Sequence, residues 1–165
     1  MYSLAVKNRT KKFVDTYGRG IALAIKGTGL FFPTIVAQKA LESGWGESEL
    51  TRTANNFGGI KYNPKIAGVI GAVTRDTAEF INGRRTIVKQ KFSRFKDVES
   101  GMRATITVLL GDRYKNARLQ AKTPEEQVVM IARAGYTTTP PQKYLAALQG
   151  IIEATQDYAK LGRIK

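Results

Sequence analysis

The segment from Pro33 to Glu42 most constrains the fold, because it predicts a largely buried helix that ends on a glutamate. Proline suits the first turn of a helix, and Gly44 suits a position just after its end. At about 100° per residue, apolar side chains cover most of this helix, at Ile35, Val36, Ala37, Ala40 and Leu41. Glu42 then falls on the same side as Ile35, in apolar surroundings, and burial raises the pKa of a carboxyl group. Such a glutamate can act as a general acid near neutral pH, whereas a glutamate that reaches water from a helix end has no such role.

Composition limits the chemistry that is open to the chain. Its 165 residues include no cysteine and no histidine, which excludes thiolate chemistry, a Ser-His-Asp triad and the usual zinc sites. Carboxylates and tyrosines remain as acid–base groups, and we expect neither a metal nor another cofactor. The length suits one domain with a buried core.

Four sequence blocks occur in the order and at the spacing of a known family. They read Ala37-Gln38 with Glu42-Ser43-Gly44-Trp45-Gly46, then Asn55-Asn56-Phe57-Gly58-Gly59-Ile60-Lys61, then Thr77-Ala78-Glu79-Phe80 beside Asn82-Gly83, and finally Tyr136-Thr137-Thr138-Thr139-Pro140. Together they resemble the glucosaminidase family of peptidoglycan hydrolases (glycoside hydrolase family 73), which includes autolysins, flagellar wall-cutting enzymes and phage lysins. The resemblance extends from about residue 10 to about residue 160.

The chain departs from the family pattern at two positions. Gly58 stands where an aromatic residue or leucine is usual, which affects one wall of the expected groove. Thr139 stands where the family has an aspartate, so no carboxylate role is carried over to that position.

Periodicity predicts an α+β, mainly helical fold. Apolar residues at helical spacing predict helices over about 8–26, 33–42, 97–111, 124–134 and 140–160. Glycine and asparagine residues predict a long ordered loop over 44–66. β-branched runs on either side of Asn82-Gly83 predict a two- or three-stranded β-hairpin lobe at about 68–92. With the resemblance, this implies a lysozyme-like helical domain with the hairpin lobe across a substrate groove, in a single glucosaminidase-like catalytic domain over 1–165.

Glycoside hydrolysis usually needs two carboxyl groups, one to protonate the leaving oxygen and one to activate water or stabilise the cation. We assign the first role to Glu42 and the second to Glu79 in the hairpin. Asp76 is a rival for the second role. Glu79 could instead be a surface residue paired with a neighbouring lysine or arginine.

The resemblance also implies five substrate-binding residues, Gln38, Trp45, Asn56, Phe57 and Tyr136. Tyr136 would hydrogen-bond the N-acetyl group of the sugar or hold a water molecule, and its alternative role is a core tyrosine. Trp45 could stack on a sugar or act as a packing anchor. Gln38 could orient Glu42 or satisfy a buried backbone group.

The charge predicts a polyanionic partner, because 27 Lys and Arg residues against 13 Asp and Glu residues give a formal net charge of +14. Nucleic acid and a bacterial wall with carboxylates and teichoic phosphates both fit this charge. No nucleic-acid-binding motif is evident. We therefore expect peptidoglycan glycan strands as the partner, with anionic wall polymers as further partners and no specific nucleic acid. We also expect a monomer without a membrane span, since the apolar run 21–25 is far shorter than the roughly 20 residues that a span needs.

The resemblance implies an endo-β-N-acetylglucosaminidase that cuts the glycan strand after N-acetylglucosamine by general acid catalysis. One alternative is a lysozyme or lytic transglycosylase that cuts after N-acetylmuramic acid. Another is a wall-binding or nucleic-acid-binding protein without activity. The stretch from Met1 to Val6 has no charged n-region, so we expect no signal peptide. An enzyme that acts on the cell wall, in an extracellular or periplasmic setting, would then be phage- or prophage-encoded or released by lysis.

Overall fold

A computed structural model describes residues 1–161 and confirms an α+β, mainly helical, lysozyme-like fold. The described part of the chain contains seven α-helices and two β-strands: α1 (Leu4–Ile25), α2 (Phe32–Glu42), α3 (Glu49–Ala54), β1 (Val69–Ile81), β2 (Arg84–Phe95), α4 (Val98–Ile106), α5 (Lys115–Gln120), α6 (Pro124–Ile131) and α7 (Pro141–Lys160). Between α4 and α5 lie two short 3₁₀ turns, Thr107–Leu110 and Asp112–Tyr114. Over residues 1–161, none of the helices has the length and apolar character needed to cross a bilayer.

Helix α2 lies at the centre of the helical core. Its residues 34–40 are all buried, as the apolar side chains around the helix predict. It packs against α7, α1 and α6, and α1 also packs against α4. The largest fully buried apolar side chains of this core come from α1, α2, α4, α6, α7 and the turn after α4, and include Phe13, Ile21, Ile35, Met102, Ile106, Leu109, Ile131, Leu148 and Ile152.

Local capping moves some helix boundaries away from the predicted positions. Helix α1 begins at Leu4, earlier than the predicted residue 8, because the Ser3 side chain accepts a hydrogen bond from the Val6 N–H at 3.2 Å. The stretch 44–66 is not all loop, since Ser48 caps the short helix α3 by accepting from the Thr51 N–H. Helix α5 was not predicted, and the predicted helix over 97–111 is α4 followed by a 3₁₀ turn.

The two strands form an antiparallel hairpin that extends to residue 95, beyond the predicted end at residue 92. Asn82 and Gly83 make its turn with φ values of 51° and 75°, the positive values that a two-residue hairpin turn of type I′ requires. Glu79 pairs with Thr86 and Asp76 pairs with Lys89. Because successive side chains in a strand point to opposite faces, Glu79 and Asp76, three residues apart, lie on opposite faces of the hairpin.

Polar contacts near its base attach the hairpin to the helical domain. The Asn56 side-chain amide donates to the carbonyl oxygens of Ile60 at 3.0 Å and Ser93 at 2.9 Å. The Arg75 guanidinium contacts Glu49 at 3.0 Å and donates to Thr53 at 3.2 Å, both in α3. The face that carries Arg75 and Glu79 is therefore turned toward the helical domain.

Candidate active site

The end of α2 places Glu42 at the surface of the helical core. The helix stops at a turn in which Gly44, Trp45 and Gly46 all have positive φ values, of 57°, 62° and 75°. The Ser43 hydroxyl holds this turn, since it donates to the Lys39 carbonyl oxygen at 2.5 Å and accepts from the Gly46 N–H at 2.9 Å. A side chain at position 46 would meet the Tyr17 ring at 2.2 Å, so the close packing of this turn on α1 requires glycine.

The Glu42 carboxylate is held by two side chains. Its Oε1 accepts a hydrogen bond from the Tyr136 hydroxyl at 2.5 Å, and its Oε2 lies 2.9 Å from the Lys39 Nζ. The Glu42 side chain is 32% exposed, whereas that of Lys39 is only 1% exposed. The predicted apolar surroundings of Glu42 are therefore wrong, because a buried ammonium group, one helical turn earlier, contacts the carboxylate.

Tyr136 reaches Glu42 through an unusual helix end. Helix α6 continues into a wide π-helical turn, Ala132–Tyr136, in which Gly135 has a φ of 95°. The Tyr136 ring then packs between Tyr114 and Tyr144, with centroid distances of 6.2 and 6.3 Å. Burial, the Glu42 charge and the hydrogen bond to Glu42 raise the pKa of Tyr136 well above its ordinary value. Tyr136 is thus a neutral phenol that donates to Glu42.

The Glu42 side chain lines a shallow depression of about 560 Å³ on the protein surface. The residues that line it are Leu41, Glu42, Tyr136, Thr137, Thr139, Tyr144 and Ala147. Burial, followed by the Glu42 charge, raises the pKa of Tyr144, which keeps that phenol neutral as well. The depression therefore offers one carboxyl group, the Tyr136 phenol and two threonine hydroxyls to a polar, uncharged ligand such as a sugar, whereas the Tyr144 hydroxyl is buried.

Sequence reasoning missed three side chains of this region. Lys39 stands three residues before Glu42, a spacing that places two side chains side by side on a helix. This spacing could have predicted an ion pair between the two residues. Thr137 lies in the block that carries Tyr136, while Tyr144 appears in the sequence only as an apolar-face residue of α7.

Three of the predicted substrate-binding residues lie away from this depression. Gln38 is fully buried on α2, and its side chain interacts with Tyr144. Asn56 is buried at the base of the hairpin, where its side chain bonds Ile60 and Ser93. Phe57 is a core residue whose ring meets that of Tyr17 at 5.1 Å, edge to face. None of these three side chains lines the depression beside Glu42 in the free protein, and their role in substrate binding stays a prediction.

Trp45 is half-buried in the turn after α2, and the Arg9 guanidinium lies 5.9 Å from its ring centroid. It packs against the core, as the packing alternative predicts, and it is not among the residues that line the depression. Its role in sugar binding stays a prediction.

The two rival second carboxylates have different surroundings. Glu79 is 43% exposed and lies 3.6 Å from the Lys61 ammonium, so in the free protein it is a surface residue paired with a lysine. Asp76 pairs with Lys89 at 3.2 Å on the opposite, outward face of the hairpin. Neither residue lines the depression beside Glu42.

Comparison with known proteins shows what the fold and this site resemble. Residues 22–157 match the Glucosaminidase family, described as mannosyl-glycoprotein endo-β-N-acetylglucosaminidase. The chain is 29% identical over 148 residues to the peptidoglycan hydrolase FlgJ of Salmonella typhimurium, covering 87% of this chain and 46% of FlgJ. It is 30% identical over 123 residues to the exo-glucosaminidase LytG of Bacillus subtilis, covering 72% of this chain and 42% of LytG. The chain thus spans less than half the length of these relatives.

Solved structures agree with the sequence relatives. A C-terminally truncated glycoside hydrolase domain of Salmonella typhimurium FlgJ superposes with a TM-score of 0.70 at 28% identity, covering 90% of this chain and 98% of that domain. The catalytic domain of the autolysin Auto from Listeria monocytogenes shares the fold, with a TM-score of 0.70 at 23% identity over 90% of this chain and 85% of that domain. The fold and the site thus define a lysozyme-like glycoside hydrolase domain. The chain belongs to the glucosaminidase family, glycoside hydrolase family 73.

Proposed function

We propose that this protein is an endo-β-N-acetylglucosaminidase that cuts the glycan strand of bacterial peptidoglycan after N-acetylglucosamine. One observation carries the proposal: the partly exposed Glu42 carboxyl, held by Tyr136, opens into a surface depression in a chain of the glucosaminidase family. The peptidoglycan hydrolases among its relatives support the choice of substrate.

In this proposal Glu42 is the general acid, and it carries a proton when it acts on the bound glycan, although in the free protein its carboxylate contacts the Lys39 ammonium group. A glycan strand lies in the depression with its scissile glycosidic oxygen against the Glu42 carboxyl group. The proton passes from Glu42 to the leaving oxygen as the bond from that oxygen to the sugar C1 breaks. Water then adds to C1 and gives up a proton to a second carboxylate. The Tyr136 hydroxyl steadies the carboxylate that forms, because a hydrogen bond to a charged acceptor is stronger than one to a neutral acceptor.

Glu79 is the proposed second carboxylate, and Asp76 is the weaker candidate. Glu79 lies on the hairpin face that is turned toward the helical domain, whereas Asp76 lies on the outward face. Since Glu79 does not line the depression, it would act after the distal part of the hairpin closes over a bound glycan. Closure would separate Glu79 from Lys61, an exposed pair of little stability at 3.6 Å.

The basic surface supports retention on the wall. With a net charge of +14, the protein would bind anionic wall polymers in addition to the glycan, and would act as a monomer in an extracellular or periplasmic setting. We propose that 1–165 is a single glucosaminidase-like catalytic domain.

Digestion of purified peptidoglycan, with mass spectrometry of the soluble fragments, tests the proposal. Fragments of several sugars with N-acetylglucosamine at the reducing end are the expected products. Reducing N-acetylmuramic acid would indicate a lysozyme, anhydro-muramic ends a lytic transglycosylase, and single released N-acetylglucosamine units an exo-acting enzyme. Binding without any product would indicate a wall-binding protein.

Glu42→Gln is the matched variant for this assay, because it keeps the shape of the side chain and removes its transferable proton. General acid catalysis contributes about 10²–10⁴-fold, so product release should fall by that factor while the circular dichroism spectrum is unchanged. A loss below tenfold would remove Glu42 from the acid role.

A further inference from the structure

Lys39 is a buried ammonium group that contacts the site. Lysine is almost never fully buried unless it is paired, because burial of an unpaired ammonium group is costly. The Lys39 side chain is 1% exposed on α2. Its Nζ lies 2.9 Å from Glu42 Oε2, donates to the Tyr136 hydroxyl oxygen at 3.1 Å, and sits 5.6 Å from the Tyr136 ring centroid. These contacts join Lys39 to the proposed acid and to the phenol beside it.

We infer that Lys39 is a positioning residue of the active site, which fixes the orientation of the Glu42 carboxyl group and of the Tyr136 hydroxyl. The inference rests on the proposed function, in which Glu42 protonates the leaving oxygen.

The geometry of the three side chains carries the inference. Lys39 holds one oxygen of the Glu42 carboxylate and Tyr136 holds the other, so rotation of the carboxylate plane breaks a hydrogen bond. Tyr136 accepts from Lys39 and donates to Glu42, which closes a triangle of hydrogen bonds. The triangle joins α2 to the turn after α6, across 94 residues of sequence. Glu42 is one-third exposed at a helix end and would otherwise be free to turn toward solvent.

The effects of a Lys39 substitution on stability and on turnover distinguish a positioning role from a purely structural role. Lys39→Met removes the buried ammonium group, whose burial is itself costly, and leaves a Glu42 carboxylate that is 32% exposed to water and still bonded to Tyr136, so no fully buried charge is left unpaired. Lys39 therefore contributes little to stability under our inference and much to turnover. A structural lysine would show the reverse, with activity lost only as the protein unfolds.

The experiment compares Lys39→Met, which keeps length without charge, with Lys39→Gln, which keeps a donor without charge. Kinetics on solubilised glycan strands should show kcat reduced about 10- to 100-fold in Lys39→Met with KM unchanged, since misplacement of a catalytic group by about 1 Å can cost up to about 10²-fold. The kcat of Lys39→Gln should lie between those of Lys39→Met and the wild type. The melting temperature of Lys39→Met should equal or exceed that of the wild type. An unchanged kcat, or a fall in melting temperature that parallels the loss of kcat, would overturn the inference.

Lys12→Met is the matched control, because Lys12 is 78% exposed and its ion pair with Glu47 spans 3.7 Å on the surface. It should leave kcat unchanged.

A stability cycle of Lys39→Met with Glu42→Gln tests the contact without activity. Glu42→Gln should lower the melting temperature in the wild type, because it leaves the buried ammonium group without its counter-charge, and should not do so in Lys39→Met. Additive changes would show that Lys39 does not hold Glu42. If the wild type releases no fragments from peptidoglycan, the proposed function fails, while the cycle still decides whether Lys39 holds Glu42.

Discussion

The hydrogen bond from Tyr136 to Glu42 permits a prediction for Tyr136→Phe. The bond measures 2.5 Å, and the phenylalanine ring would keep the packing against Tyr114 and Tyr144. Glu42 would also keep its contact with Lys39 at 2.9 Å. The substitution thus removes one hydroxyl group and leaves the fold and the second anchor of the carboxylate in place.

The expected fall in kcat follows from the change in charge on Glu42 during proton transfer. A net hydrogen bond between neutral groups is worth about 1 kcal/mol, and one to a charged group about 1.5–3 kcal/mol. Only this difference, about 0.5–2 kcal/mol, is specific to the transition state. At about 1.4 kcal/mol per factor of ten, kcat should fall about 2- to 30-fold, with KM little changed.

Initial rates of reducing-end release from solubilised glycan strands measure this effect. Tyr2→Phe is the matched control, because it removes another hydrogen bond from a phenol to a carboxylate. This bond joins Tyr2 to Asp157 at 2.6 Å, is exposed to solvent and involves neither Glu42 nor Tyr136. Its kcat should equal that of the wild type. An unchanged kcat in Tyr136→Phe would refute the reasoning, and a loss above about 10³-fold would mean that Tyr136 itself transfers the proton.

Three further predictions concern the hairpin, the charge and a helix cap. Glu79→Gln should reduce fragment release more than Asp76→Asn does, because only Glu79 lies on the face turned toward the helical domain, and the opposite ranking would exchange their roles. Retention on purified wall should weaken as salt rises, since the screening length falls from about 8 Å at physiological salt to about 3 Å at 1 M, and unchanged retention at 1 M would show that sugar contacts dominate. Hydrogen bonds from the Ser100 hydroxyl and N–H hold the pKa of Asp97 below its ordinary value at the start of α4. The resulting stability is present above the unfolded-state pKa and is lost as the pH falls through the lower folded-state value, so urea unfolding of Asp97→Asn should depend less on pH below about 4 than that of the wild type.

Short-range chemistry explains the parts of the fold that could be predicted from the sequence. The proline, the apolar pattern and the glycines around Glu42 each act within a turn or two of α2, and they correctly place Glu42 at the end of a buried helix. The Asn82-Gly83 turn is equally local, because only residues that tolerate positive φ fit a two-residue hairpin of this type. The short helices α3 and α5 escaped prediction because six residues carry too little periodic pattern.

The tertiary structure decided the surroundings of Glu42. The spacing of Lys39 and Glu42 shows that they are neighbours, but only the tertiary structure buries Lys39 and places its ammonium group against both the carboxylate and the Tyr136 hydroxyl. Tyr136 meets Glu42 across 94 residues, a contact that no local pattern contains. Because side chains alternate along a strand, the sequence alone predicts that Asp76 and Glu79 lie on opposite faces of the hairpin. Only the contact of Arg75 with α3 shows which of the two faces is turned toward the helical domain. The motif predicts that Asn56 binds substrate, and only the structure shows that its side chain also bonds Ile60 and Ser93 at the base of the hairpin. Local backbone preferences act over a few residues and can be read in sequence order, whereas burial and charge compensation depend on which distant segments meet.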